Sequence, residues 1–251
     1  MSGVVVARRG STLLVTLDRP ETLNALTVDD IAALHSAMDL APDVQAIVFA
    51  GTGERAFSAG MNVDEFLSFD VDGACAFIAS LRDLLRRVRT APVATICAVD
   101  GYCLGAAFEL ALACDLRVAT TRAVFGLPEI KVGIPSVVDA ALLQQYVGLS
   151  LAKEMILTGE NYPVQRLSAS GLCNEIVVPA GLDPAVHTML DRVTGHTPTV
   201  VAAQKRLFEI WQNTTLTNGA DRSVEEFGRV FAAPETRAHL AQYRAALGDG
   251  R

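Results

Sequence analysis

The sequence predicts an α/β protein, with strand–strand–helix repeats over residues 1–190 and a helical region over residues 191–251. Three observations carry this. Short β-branched or apolar runs alternate with segments of helical period up to about residue 128. Beyond Pro135 almost every segment has helical period, and Glu175–Val178 is the only late strand candidate. Tight glycine turns, not low-complexity linkers, punctuate the repeats. One α/β core with a helical extension fits this better than two independent domains, since about 150 residues per domain is only a loose expectation.

Each element follows from local pattern. Val4–Val6 and Leu13–Leu17 flank Arg8-Arg9-Gly10-Ser11 as a hairpin. Thr27 followed by Asp30 has the form of a capping box, opening a helix from Val28 to Leu40. Val44–Ala50 is a buried strand and Ala56–Gly60 a short extended piece. Gly73 to Arg89 has helical period, Val93–Val99 is a buried strand, and an apolar helix runs from about Gly105 to Ala113. Leu116–Ala119 and Val124–Gly126 complete the strands of the first part. Helices are expected over Ser136–Gln145, Leu149–Leu157, Pro163–Ser168, Pro184–Val193, Pro198–Gln212, Leu216–Phe231 and Pro234–Leu247. Ser136-Val137-Val138-Asp139 also has capping-box form. Apolar faces on the last helices must pack on the core or on another subunit, which favours an oligomer.

Composition limits the function. Of 251 residues, 51% are hydrophobic and 20% charged, enough for a large core and incompatible with global disorder. Lysine and arginine total 21 against 28 acids, a net charge of −7. An acidic chain suits neither nucleic acid nor an anionic membrane. Met1–Arg9 shows no apolar secretory core, and five cysteines form no C-x-x-C pair, so reduced thiols in a cytoplasmic protein are expected. Ala91–Cys114 is apolar enough to suggest a membrane span, but Asp100 and Glu109 interrupt it. Each would cost about 2.5–3.5 kcal/mol near a bilayer centre. A buried strand, a glycine turn and a buried helix fit better, and Glu109 is then a carboxylate in apolar surroundings.

The glycine turn is where chemistry is expected. A helix that starts there leaves its first N–H groups, around Ala106, without partners at the positive end of the dipole. Such groups suit a developing oxyanion. Glu109, three residues on, projects from the same face, and burial raises the pKa of a carboxyl, which suits proton transfer. Equally, Glu109 could pair with Arg117 in the core. Glu129 follows Pro128 in a loop after a strand and reads either as a functional acid or as a surface helix cap. Two such acids would form a general acid/base pair of the kind that adds or removes water. Gly101–Ala107 has neither the spacing nor the charge of a dinucleotide-binding loop, and no G-x-S-x-G elbow or metal-ligand cluster is present. None of His35, His187, His196 and His239 falls in these segments.

Taken together, the segments resemble the enoyl-CoA hydratase/isomerase (crotonase) superfamily. The matching pieces are DRPETLNAL (Asp18–Leu26), AFSAGMN (Ala56–Asn62), VDGYCLGAAFELALACDLRVA (Val99–Ala119) and FGLPEIKVGI (Phe125–Ile134), with Leu157-Thr158-Gly159 and Gly171–Val177 further on. The resemblance implies a crotonase-like spiral of ββα repeats with a C-terminal helical region. It implies that Glu109 and Glu129 are the catalytic pair and that the backbone N–H groups of Met61 and Ala106 form the oxyanion hole. A trans-2-enoyl-CoA would be hydrated across its 2,3 double bond. Asn24, Ala25, Leu26, Ala59 and Asn62 would lie along coenzyme A, and Lys205 would approach a phosphate unless it lies on a solvated helix face. Coenzyme A would be part of the substrate, with no separate cofactor and no metal. The family is usually built from trimers, so a homotrimer or dimer of trimers is expected. Isomerase, lyase or thioester-hydrolase chemistry on the same scaffold, or a silent acyl-CoA-binding homologue, are the alternatives.

The chain departs from the family pattern in places. The usual glycine triplet is Gly105-Ala106-Ala107, Asn62 replaces a usual aspartate, and Asp64 stands where lysine is frequent. Ile134-Pro135-Ser136-Val137-Val138-Asp139 replaces a glycine-rich stretch, and the chain is one residue shorter than the family pattern between Glu129 and Pro135. Ser136 or Asp139 is therefore either part of a helix cap or a polar addition to the acyl pocket.

Overall fold

The structure, a computed structural model, describes residues 2–248. Strands β1 (Val4–Arg9) and β2 (Thr12–Leu17) form the expected antiparallel hairpin. Helix α1 (Val28–Ala37) starts at Thr27 in a complete capping box. Thr27 accepts from the Asp30 N–H, and Asp30 accepts from the Thr27 N–H at 2.8 Å. Asp30 also holds Arg19, so the cap ties the helix to the preceding loop.

Two strand–strand–helix repeats and a third strand pair follow. The first is β3 (Ala46–Gly51), β4 (Ala56–Ser58), α2 (Val63–Leu67) and α3 (Val71–Arg89). The second is β5 (Ala94–Val99), β6 (Tyr102–Leu104) and α4 (Ala106–Ala113), followed by β7 (Leu116–Thr120) and β8 (Val124–Gly126). The first strand of each pair joins a large sheet and the second joins a small one. The large sheet has the order β1-β2-β3-β5-β7-β10, and the small one β4-β6-β8-β9, where β9 is Tyr162–Pro163 and β10 is Glu175–Val177. Apart from β1 with β2 and β8 with β9, neighbouring strands are parallel. Successive repeats therefore stack as a spiral. Strands β3 and β5 are buried along most of their length, as expected for parallel strands covered on both faces.

The apolar stretch that resembled a membrane span is β5, β6 and α4, and every residue of α4 is buried, Glu109 included. Among the described residues no helix is long and apolar enough to cross a membrane. The remaining helices are α5 (Leu143–Val147), α6 (Leu149–Thr158), α7 (Val164–Leu167), α8 (Leu182–Thr194), α9 (Pro198–Asn213), α10 (Leu216–Ala232) and α11 (Pro234–Gly248).

One expectation fails in an informative way. No continuous helix spans Ser136–Gln145: a 3₁₀ turn over Val138–Leu142 precedes α5. Ser136 does not cap it. The residue before the turn is Val137, which makes no side-chain cap. Val138 has φ +39°, a region that β-branched residues avoid. The segment is held by contacts elsewhere rather than by helix propensity.

Candidate active site

Two strand ends meet at the centre of the site. Ser58 of β4 pairs with Cys103 of parallel β6, so the residues after each strand leave the small sheet side by side. Gly60 adopts φ +87°, and a Cβ there would lie 2.6 Å from the Leu104 carbonyl oxygen and 3.4 Å from Gly105 Cα. Only glycine permits this approach. Gly105, at φ +54°, begins α4 without a side-chain cap. The Ala106 N–H, first in the helix, thus has no intrahelical acceptor. Across from it, Leu26 bridges Met61: the Leu26 N–H donates to Gly60, and the Asn62 N–H donates to Leu26. In such a parallel bridge the Met61 N–H points to the opposite side.

Met61, Gly105 and Ala106 line a cavity of about 180 Å³ together with Glu109 and Glu129. Phe66 of α2 and Phe77, Ile78 and Leu81 of α3 form its apolar wall. Phe66 meets Phe77 edge-on with centroids 5.8 Å apart, which fixes α2 against α3. Local pattern showed the apolar face of α3 but not what it faces, so this wall was not identified from sequence.

Glu109 is 3% exposed, on the first turn of α4. Its Oε1 accepts the Ala140 N–H at 3.2 Å. Burial, reinforced by the nearby Glu129 charge, holds its pKa well above the usual carboxylate range. Arg117 does not relieve this. Its guanidinium donates to the carbonyls of Ala111 (2.9 Å), Cys114 (2.7 Å) and Leu172 (2.5 Å), at the far end of α4. The core-pairing reading of Glu109 is therefore excluded.

Glu129 is half-buried on a 3₁₀ turn over Pro128–Val132. Its Oε2 accepts the Ser136 hydroxyl at 2.6 Å, and its Oε1 lies 3.0 Å from where a Cβ on Gly105 would sit. The surface-cap reading of Glu129 fails, because the side chain turns into the cavity.

The other expected residues divide. Ala59 lines the cavity. Asn62 caps α2, its Oδ1 accepting the Asp64 N–H at 3.1 Å. Leu26 is joined to that loop through the Met61 bridge, and Ala25 precedes it. The Asn24 side chain is occupied by the Arg19 N–H and by the Thr52 and Ala56 carbonyls, so it braces the loop. Lys205 lies neither at the cavity nor on a solvated face. It is buried, with Nζ 2.6 Å from Asp115 Oδ2 and 3.3 Å from the Val88 carbonyl. Asp139 also turns away from the cavity and pairs with Arg89, which reaches Glu209 at 3.2 Å.

The arrangement offers two carboxyl groups, the turns at Met61 and Ala106 and an apolar wall around one cavity. A family model described as Enoyl-CoA hydratase/isomerase matches residues 7–245. The Short-chain-enoyl-CoA hydratase of Clostridium acetobutylicum is 27% identical over 247 residues, which is 97% of this chain and 95% of that one. The 2,3-dehydroadipyl-CoA hydratase of Escherichia coli K12 is 34% identical over 241 residues, covering 94% and 93% of the two chains. A crystal structure of an enoyl-CoA hydratase of Mycobacterium smegmatis superposes with a TM-score of 0.93 at 26% identity, covering 98% of this chain and 97% of that one. In sequence and in fold, over nearly its whole length, this chain belongs to the enoyl-CoA hydratase/isomerase (crotonase) family.

Proposed function

We propose that the protein is an enoyl-CoA hydratase that adds water reversibly across the 2,3 double bond of a trans-2-enoyl-CoA thioester. The observation that carries this is that Glu109 and Glu129 line one apolar cavity together with Met61 and Ala106. Those N–H groups bind the thioester oxygen and stabilise its charge as the enolate forms. A water sits between the two acids. Its oxygen bonds to Cβ while its proton passes to Glu109, whose raised pKa makes it an effective acceptor. Glu129 delivers a proton to Cα, the electron pair of the double bond forming the new C–H bond. Glu109 starts as the carboxylate and Glu129 with the pair's one proton; after addition Glu109 carries it, and its return to Glu129 through solvent closes the cycle.

Coenzyme A enters as part of the substrate, along the loops of Ala25–Leu26 and Ala59–Asn62. Lys205 has no part in binding it, since its ammonium is held by Asp115. The acyl tail lies against Phe66, Phe77, Ile78 and Leu81, and Lys131, the one cation lining the cavity among the described residues, is engaged by Glu160 at 2.8 Å. A neutral, apolar tail fits this better than a second carboxylate. A lyase or hydrolase that draws a third acid from Asp139 has less support, because Arg89 occupies that carboxylate. The working form is a cytoplasmic homotrimer or dimer of trimers.

Loss of the conjugated thioester absorbance across a panel of enoyl-CoA chain lengths tests this reading. Glu109→Gln and Glu129→Gln should each lower hydration by about 10²–10⁴-fold, with CoA-ester binding retained. Undiminished hydration in both variants would overturn the assignment.

A further inference from the structure

The segment that departs most from the family pattern grips both acids. Within five residues, the Ser136 hydroxyl donates to Glu129 Oε2 at 2.6 Å and the Ala140 N–H donates to Glu109 Oε1 at 3.2 Å. Between them Val138 sits at φ +39° and the Asp139 side chain is tied outward to Arg89. A β-branched residue in that region persists only where its surroundings over-determine it. Here the anchors are the Arg89 pair on one side and the two glutamates on the other.

We infer that Ser136 is a positioning residue of the acid pair: by anchoring Glu129 Oε2 it keeps Oε1 above Gly105, where the proton must be delivered. This deepens the hydratase reading and rests on it for the identity of the acceptor carbon. A carboxyl group can turn about its Cγ–Cδ bond, and the apolar wall offers no polar group to hold its plane. The Ser136 hydroxyl holds that plane with one edge towards Gly105. It reaches back seven residues from a half-buried loop position instead of capping the turn that follows it. The hydroxyl donates only to the oxygen that is not proposed to react, so its role is orientation rather than chemistry. The Glu109 oxygens have no hydroxyl partner among the described contacts, and the two acids are thereby made unlike each other.

Three readouts test this. Ser136→Ala should lower kcat for hydration by about 10–100-fold while KM changes by less than about threefold, because a reacting group left free to turn loses its alignment. Ser136→Thr, which keeps the hydroxyl, should restore most of kcat. A crystal structure of Ser136→Ala should show the Glu129 carboxyl turned away from Gly105. Unchanged kcat in Ser136→Ala, loss that Ser136→Thr does not recover, or an unmoved Glu129 carboxyl would overturn the inference. Failure of the wild-type protein to hydrate any enoyl-CoA would instead defeat the hydratase reading, and the crystal structure would then decide the role of Ser136.

Discussion

Glu109 shows how far one side chain can be placed against its own folding preference. It is enclosed in an all-buried helix, near a second acid, with no cation among the described residues to compensate it. Its folded pKa lies above its unfolded value, so the folded state holds the proton more tightly. Its contribution to stability is complete below the unfolded pKa and is lost as pH rises towards the raised folded value. Glu109→Gln removes that loss and keeps an oxygen for the Ala140 N–H. The melting temperature of Glu109→Gln should therefore exceed that of the wild type at about pH 8 by a few degrees, at roughly 2–4 °C per kcal/mol. The difference should shrink as pH falls to the ordinary carboxyl range near pH 4. Thermal melts across pH check this, and a less stable Gln variant at about pH 8 would contradict it. The same substitution should suppress hydration, so function and stability are opposed at this position.

At the scale of elements, the site depends on how closely β4 and β6 emerge together. Gly60 allows the approach, and α4 begins at the contact with an open N–H at Ala106. Gly60→Ala would drive a methyl into the Leu104 carbonyl in a backbone conformation that alanine resists. The strand ends should part, and with them the Met61 and Ala106 N–H groups. We expect kcat to fall by about 10²–10³-fold, the cost of one misplaced oxyanion donor, while the protein stays folded by circular dichroism. Wild-type turnover in Gly60→Ala would rule out this donor pair. At the other end of α4, Arg117 gathers three carbonyls and stacks 4.4 Å from the Tyr146 ring centroid, closing the helix with a positive charge where its dipole is negative. Strands, turns and the long helices were legible in sequence because period and turn glycines are local signals. The Ser136–Ala140 turn was not, because distant partners at Glu129, Glu109 and Arg89 set its conformation.

Across the whole molecule, apolar residues are distributed unevenly. The sheets and α4 enclose the core, whereas the C-terminal helices leave large side chains in solvent. Phe208, Trp211, Phe227 and Phe231 are exposed on α9 and α10, and Leu240 and Tyr243 on α11. Phe227 and Phe231 stack with centroids 5.8 Å apart, part of an exposed apolar face of the kind that marks an interaction surface. Subunit association should cover it. Light scattering coupled to gel filtration should give three or six times the chain mass, and Phe227→Asp with Phe231→Asp should reduce it. A monomeric wild type would contradict this expectation.

Sequence alone determined the α/β class, the order of repeats and the segments that carry Glu109, Glu129 and the glycine turn, because these are written in hydrophobic period and in short motifs. Tertiary structure decided which charges were already engaged. Arg117 serves backbone carbonyls, Lys205 serves Asp115 and Asp139 serves Arg89, so none of them reaches the cavity. It also decided that Ser136 turns to Glu129 instead of capping a helix. The physical reason is common to all four. A buried polar group must find a partner, and which partner lies within reach is a property of the folded chain rather than of neighbouring residues in sequence.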